Sequence, residues 1–292
     1  MLLIKNGRVY TMKKENDFDG FVLIEDDKIK KVGSTDELTA ETEAKCNKII
    51  DANGGWIMPG MIDAHCHVGM WENGIGFEGA DGNETTDPVT PHLRAIDGIY
   101  YKDRSFADAR EAGVTTVVTG PGSANVIGGQ FCALKTYGNS IEEMLLKEPV
   151  AMKMAFGENP KRTYNNQKKA PMTRMATAAV MRQALTEAKA YKERPEDEKD
   201  KVDFKKEALA KVFDGLLVKI HAHREDDILT AIRIGREFGL KFSIEHCTEG
   251  YIIKDKLREE GIPVIVGPLL SFRSKYELKN STIKNPGLLQ KA

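Results

Sequence analysis

Cysteine is scarce in this chain, and its placement argues against a disulfide framework. Four cysteines are spread over 292 residues, and no two of them form a Cys-x-x-Cys pair. This pattern is typical of reduced thiols in a cytoplasmic protein. The N-terminus lacks a charged segment followed by a long apolar run, so we expect no signal peptide.

Net charge and long apolar runs are also missing. The formal net charge is −1, so no overall field favours nucleic acid or an anionic membrane surface. No apolar run approaches the roughly 20 residues that a membrane span requires. Apolar residues make up 41% and charged residues 30% of the chain, which is ordinary for a soluble globular protein. We therefore expect neither nucleic acid nor a membrane as a partner.

The first 57 residues have an all-β pattern. Short apolar runs alternate with turn residues, and Asn6-Gly7 predicts a hairpin directly after the first run. These strands are too few and too short to close a core alone. We interpret residues 1–57 as the N-terminal part of a small β-sandwich domain and residues 58–292 as a second domain.

The C-terminal third alternates between strands and helices. Residues 216–223, 241–246 and 262–266 are predicted strands, and residues 225–238 form an amphipathic helix that ends at Gly239. Thr248 is placed to N-cap the next helix. Strand and helix in this alternation are typical of βα units on a parallel sheet.

The whole second domain contains seven strand candidates of this type. The first follows Pro59-Gly60, and a long Gly- and Asp-rich loop covers residues 68–96 before a helix predicted at residues 97–112. Seven units suit an α/β fold, namely a (β/α)8 TIM-type barrel that lacks its last β/α unit.

Four of the six histidines lie where predicted strands end. His65 and His67 stand two apart on one strand, so both point to the same side. His221 and His246 end two later strands. A lone His-x-His pair is also compatible with two polar residues at a strand end. Four histidines at the carboxyl ends of barrel strands converge on one face, and this favours a divalent metal site.

These same residues carry a resemblance to a known family. Pro-Gly-Met-Ile-Asp-Ala-His-Cys-His at residues 59–67 resembles the first-strand motif of the amidohydrolase superfamily. Residues 219–223 and 244–246 resemble its fifth- and sixth-strand motifs, and residues 4–7 and 20–24 resemble its small composite β-sandwich. The resemblance covers essentially the whole chain, and the most similar group is the imidazolonepropionase-like hydrolases.

The resemblance implies a metal centre of one or two divalent ions, Zn2+ or a similar metal. His65 and His67 would bind one ion, and His221 and His246 would bind the second and take part in catalysis. A bridging ligand is expected from the fourth strand, either Glu158 or a carboxylated Lys153. We favour Glu158 because it lies just past the strand end, where the other ligands are.

Two positions depart from the family pattern. Imidazolonepropionases carry a glutamate three residues after the fifth-strand histidine, where this chain has Arg224. The superfamily also uses an aspartate at the end of the eighth strand as ligand and proton shuttle. We expect the 292-residue chain to be incomplete at its C-terminus, because it contains no such strand.

The resemblance further implies the reaction. A metal-activated hydroxide would attack a cyclic amide or another non-peptide C–N bond of a small-molecule substrate. His223, Arg162 and Arg224 are candidates for substrate contacts, and each is also compatible with a solvated or supporting role. The alternatives are a heterocycle deaminase, a dipeptidase, or a metal-binding fragment without activity. A homo-oligomer is compatible with the sequence.

Overall fold

The computed structural model describes residues 1–13, 17–195 and 202–292. Within these residues the chain forms two compact units, Met1–Met61 and Ile62–Ala292. No helix in the described residues combines the length and the apolar character that crossing a membrane requires.

The smaller unit is a mixed β-sheet with a small apolar cluster. Its elements are β1 (Leu2–Val9), β2 (Phe18–Glu25), β3 (Lys28–Ser34), α1 (Ala40–Ala44), β4 (Lys48–Asp51) and β5 (Trp56–Ile57). The described strands lie in the order β3-β2-β1-β4, and β5 also pairs with β1. Leu3, Phe21 and Leu23 are buried together on the sheet.

The hairpin predicted at Asn6-Gly7 is wrong. β1 continues through both residues, and its pairing with β2 shifts register between Ile4 and Gly7, as in a β-bulge. Asn6 has the left-handed φ of 56° that a hairpin turn also uses, so the dipeptide keeps its local preference inside the strand. Gly7 is required because a Cβ there would lie 2.6 Å from Ile57 Cγ1.

The larger unit contains a seven-stranded sheet in the described residues. Its strands are β6 (Met61–Cys66), β7 (Val114–Thr119), β8 (Ile127–Lys135), β9 (Leu145–Ala155), β10 (Leu217–Ala222), β11 (Phe242–His246) and β12 (Val264–Val266). They lie in chain order, from β6 at one end to β12 at the other. The seven strands coincide with the seven predicted runs.

This sheet curls into a nearly closed, barrel-like form. β6 and β11 are five places apart in the strand order, which is about 24 Å in a flat sheet. Yet the ring centroids of His65 on β6 and His246 on β11 are only 5.3 Å apart. The curvature therefore brings residues from both ends of the sheet to one place.

One strand departs from the expected parallel arrangement. β9 to β12 pair in parallel, but β8 pairs antiparallel with both β7 and β9. The reason is connection length, because only residues 120–126 join β7 to β8. A parallel crossover needs a dozen or more residues, so the chain turns back directly.

The helices of the larger unit pack against the sheet. They are α2 (Arg104–Glu111), α3 (Ile141–Met144), α4 (Glu158–Asn166), α5 (Arg174–Lys192), α6 (Phe204–Ala210), α7 (Glu225–Glu237), α8 (Lys254–Glu260) and α9 (Asn285–Lys291). Leu185 of α5, Ile228 of α7 and Val218 of β10 share one core. Leu229 of α7 is 38% exposed.

The long loop after β6 is held to the barrel by a buried polar network. It extends to Asp103, so α2 begins later than predicted. Asn125 donates to the Glu84 carbonyl at 2.6 Å and to Thr90 Oγ1 at 2.8 Å. Tyr164, which is fully buried, donates to Asn125 Oδ1 at 2.8 Å. These bonds fix Asn125, which in turn fixes the loop.

The Tyr164 hydroxyl provides a test of this network. Tyr164→Phe leaves the buried Asn125 Oδ1 without its donor, so we expect a loss of about 1–3 kcal/mol in the free energy of unfolding. The control is Tyr137→Phe, because Tyr137 is 69% exposed. Urea denaturation of both variants measures the difference, and equal effects would contradict this role of the network.

Candidate active site

Strand alternation directs polar side chains into the barrel. On β10, Val218 and Ile220 pack against the helices, so Lys219 and His221 point to the opposite face. The same alternation on β9 directs Lys153 inward. All three polar side chains are at most 2% exposed, so the barrel interior holds an unusual concentration of buried nitrogen atoms.

The structure brings the four predicted histidines together and adds a fifth. The His65 ring centroid lies 5.3 Å from those of His67 and His246. The His221 centroid lies 4.6 Å from those of His246 and His223. One potential ligand atom from each of His221, His223 and His246 lies within 4.8 Å of the others. These five residues form the histidine cluster.

Backbone carbonyls set the protonation of two members of the cluster. His67 Nδ1 lies 2.7 Å from the Gly120 carbonyl oxygen, and His246 Nδ1 lies 2.7 Å from that of Gly267. A carbonyl only accepts hydrogen bonds, so each Nδ1 must carry the proton. In the neutral ring, Nε2 therefore keeps its lone pair, which is the form that binds a metal.

A buried carboxylate does the same for His65. Glu245 is fully buried, and its Oε2 lies 2.8 Å from His65 Nδ1 and 3.1 Å from Lys219 Nζ. The Ser243 hydroxyl donates to the other oxygen. Burial raises the pKa of Glu245, but the contacts with His65, Lys219 and Ser243 outweigh it and lower the pKa overall. Glu245 is therefore an anion that fixes the His65 ring.

Lys153 contacts the histidine cluster at His65. Its amine is fully buried and lies 3.4 Å from His65 Nε2. Burial is the main reason why its pKa falls to about 7. A positive charge on Lys153 lowers the pKa of each of the five histidines. The amine is thus close to all of them, and it makes no ion pair with any described carboxylate.

Burial keeps the histidines neutral. It is the largest cause that lowers the pKa of His67 to about 3 and that of His223 to about 4. The pKa values of His221 and His246 also fall well below the ordinary value, first through burial and then through neighbouring positive charge. At neutral pH these rings are lone-pair donors.

Glu158, Arg162 and Arg224 make their contacts elsewhere. Glu158 opens α4, where its Oε2 accepts from the Glu277 N–H at 3.3 Å and its Oε1 lies 3.8 Å from Arg162 Nη1. Arg224 donates two hydrogen bonds to Asp226, at 3.0 and 2.8 Å. In the described part of the chain, no hydrogen bond or ion pair joins these three residues to a histidine.

Several residues at the site were not found from the sequence. The Trp71 ring lies 5.4 Å from that of His67, and the Phe131 ring stacks on His65 at 5.5 Å. Asn159 Nδ2 lies 3.4 Å from His221 Nε2. The only sequence signal was position, because Trp71 lies in the long loop and Asn159 follows β9. Direct contact with the rings depends on the fold.

The helix cap predicted for Thr248 is wrong. α8 begins at Lys254, and its N-cap residue, Ile253, makes no side-chain cap. The Thr248 hydroxyl instead lies 2.7 Å from His223 Nδ1. A short 310 turn, Gly250–Ile253, separates Thr248 from the helix. The hydroxyl therefore fixes the His223 ring.

Because the pKa of Lys153 is lowered, we expect its replacement to increase the free energy of unfolding, by an amount that depends on pH. The unfolded chain binds more protons than the folded one between about pH 7 and 10, so charge on Lys153 costs stability as the pH falls through this window. In chelator, Lys153→Met should therefore raise the free energy of unfolding relative to wild type, and more at pH 7 than at pH 10.

The control is Lys189→Met, at an exposed position of α5. We expect no such pH-dependent difference there. If Lys153→Met changed stability equally at both pH values, the amine would have an ordinary pKa in the folded protein.

Comparisons with known proteins agree with this geometry. No family model matches the chain. A solved structure described as an amidohydrolase from Thermotoga maritima MSB8 has a TM-score of 0.91 and 44% sequence identity, covering 100% of this chain and 76% of that one.

Curated relatives match more narrowly. Amidohydrolase tasK of Hapsidospora irregularis is 28% identical over 82% of this chain and 27% of its own length. A 5'-deoxyadenosine deaminase of Methanococcoides burtonii is 45% identical over 24% of this chain, and a dihydroorotase of Clostridioides difficile is 42% identical over 23%. The chain spans 15% of each of these last two proteins, so their whole length is much greater than the matched region.

Proposed function

The chain belongs to the amidohydrolase superfamily, and we propose that it is a metal-dependent hydrolase of a cyclic amide or another non-peptide C–N bond. The amidohydrolase and deaminase relatives support hydrolysis of a C–N bond. We assign no subgroup, because Arg224 stands where imidazolonepropionases carry a glutamate.

One observation carries the metal dependence: the buried rings of His67 and His246 have their Nδ1 atoms engaged by backbone carbonyls, so their Nε2 atoms keep a lone pair. Neutral imidazoles held in this way fit a divalent metal such as Zn2+. We propose that His65 and His67 hold one ion and that His221 and His246 hold a second.

We place Lys153, rather than Glu158, at the bridging position. The Lys153 amine lies 3.4 Å from His65 Nε2, and its lowered pKa leaves part of it neutral near pH 7. A neutral amine adds to CO2 and loses a proton, which gives a carbamate with two ligand oxygens. The Glu158 carboxylate already accepts a hydrogen bond from the Glu277 N–H. This contact supports a role in holding the turn of Glu277 rather than in binding a metal.

The chemistry then divides between the ion and the protein. A bound divalent metal lowers the pKa of a water ligand towards about 7 and polarises a carbonyl group. The chain's own residues orient the ligands and exclude bulk water, since the His221 and Glu245 side chains are at most 3% exposed. Trp71, 40% exposed beside His67, offers a flat face for a planar cyclic substrate.

The two arginines have different roles in this proposal. Arg162 is 59% exposed and lies 3.8 Å from Glu158, so its guanidinium remains available to a substrate carboxylate. Arg224 is bound to Asp226 and reaches a substrate only by leaving that carboxylate. His223 lies beside His221 and His246 in the cluster.

The test compares two histidines. We expect His67→Ala to lower the affinity for the divalent metal and the kcat/KM for hydrolysis, each by more than about 100-fold, because a ligand is lost. The content of bound metal should fall accordingly. The control is His92→Ala, since His92 is the one histidine outside the cluster. Elemental analysis measures the metal, and hydantoins, dihydropyrimidines, N-acyl amino acids, dipeptides and adenosine-type heterocycles serve as substrates.

The outcomes separate the parts of the proposal. Equal metal content in wild type, His67→Ala and His92→Ala would refute the metal site. Turnover of the heterocycles by deamination, without hydrolysis of the amides, would replace the proposed reaction by the deaminase alternative.

A further inference from the structure

Glu277 places a second buried carboxylate against the histidine cluster. It lies in a short 310 turn, Tyr276–Leu278, beyond the last described strand of the barrel, and its side chain is 1% exposed. Its Oε1 lies 3.7 Å from His221 Nε2 and 3.6 Å from His223 Nε2. Glu277 belongs to no recognised motif and was not predicted from the sequence.

The other carboxylate oxygen anchors the side chain. Glu277 Oε2 accepts from the Glu158 N–H at 3.0 Å, and the Glu277 N–H donates to Glu158 Oε2 at 3.3 Å. Gly157 leaves the space for this, since a Cβ there would lie 2.7 Å from Glu277 Oε2. Because Oε2 is held in this reciprocal pair, Oε1 is the oxygen that faces the histidines.

His223 faces this oxygen with an unpartnered nitrogen. Its Nδ1 contacts Thr248 Oγ1, whereas its buried Nε2 has no hydrogen-bond partner. The 3.6 Å to Glu277 Oε1 is too long for a hydrogen bond. It is close to the roughly 3.4 Å that separates two ligand atoms placed tetrahedrally about 2.1 Å from one ion.

Glu277 Oε1 also lies beside a lysine ammonium, that of Lys275. Its Nζ lies 2.7 Å from Glu277 Oε1 and 3.1 Å from Asn159 Oδ1. A carboxylate oxygen has two lone pairs, so it can accept this ammonium and also bind a cation. Ligating carboxylates are commonly hydrogen-bonded in this way, which orients them.

We propose that Glu277 and His223 are metal ligands that complete the site of His221 and His246. This inference rests on the proposed function, because it requires the metal centre. It assigns His223 to the metal instead of to the substrate. Glu277 and His223 would add one carboxylate oxygen and one imidazole nitrogen to the donors that we propose for this ion.

Glu277→Gln and Glu277→Asp test this proposal together. The glutamine keeps the shape and loses the charge, while the aspartate keeps the charge and draws the oxygen back by one methylene. We expect both variants to lower the affinity for one of the two ions by at least about 100-fold. Even the loss of a contact that only supports a ligand lowers metal affinity by about 10–100-fold. Titration with Zn2+ against a chromogenic chelator measures this for the whole chain.

The visible spectrum of bound Co2+ provides a second measurement. Loss of a protein ligand from a four-coordinate site changes the intensity and position of the absorption bands. We expect such a change in both Glu277 variants and in His223→Ala. The matched control is Glu158→Gln, because Glu158 shares the reciprocal backbone contact but gives no atom to the cluster.

The results distinguish the possible failures. Wild-type affinity and an unchanged Co2+ spectrum in both Glu277 variants would overturn the proposal and leave the metal centre intact. An equal loss in Glu158→Gln would also overturn it, since the effect would then come from the loop. If wild type itself bound no divalent metal, both this inference and the proposed function would fail.

Discussion

Inside the barrel, the buried side chains of Lys153 and Lys219 lie near one buried carboxylate, that of Glu245. The geometry of the site depends on which groups contact this negative charge. Glu245 contacts both Lys219 and His65 through one oxygen. Lys153 makes no ion pair with a described carboxylate. Because a buried charge without a partner is costly, the pKa of Lys153 falls instead. One carboxylate thus contacts His65 and Lys219, while the nearby Lys153 amine has a lowered pKa.

The histidines illustrate a general requirement of metal chemistry. A histidine that binds a metal must present a lone pair in a fixed direction, and a contact to its other ring nitrogen provides this. The Gly120 and Gly267 carbonyls do so for His67 and His246, and both carbonyls directly follow barrel strands. The strand ends therefore supply both the histidines and the carbonyl groups that orient them.

The antiparallel strand β8 contributes to the same site. Its Phe131 stacks on His65 and lies under the Lys153 amine, 5.6 Å from the ring centroid. The long loop before β7 is joined to β8 by the Thr90 contact with the Ile127 carbonyl. The antiparallel strand β8 thus provides an apolar ring, that of Phe131, beside His65 and Lys153.

The sequence by itself determined which strands form the barrel and where four of the ligand candidates lie. Both depend on local rules: apolar runs form buried strands, and residues two apart on a strand share a face. The direction of β8 was not predicted, because only the structure shows that β8 begins at Ile127, which leaves too few residues after Thr119 for a parallel crossover. The bulge at Asn6-Gly7 was ambiguous, since a turn and a bulge use the same left-handed conformation.

Only the tertiary structure decided which ring nitrogen of His67 and His246 is engaged and which groups accompany the histidines. Glu277 meets the loop of Glu158 across 119 positions of the chain, and Lys153 meets His65 across 88. Such pairs leave no periodic signal, because they depend on how the curled sheet superimposes distant strand ends. Burial, which sets the pKa values of Lys153 and the histidines, likewise exists only once the barrel has formed.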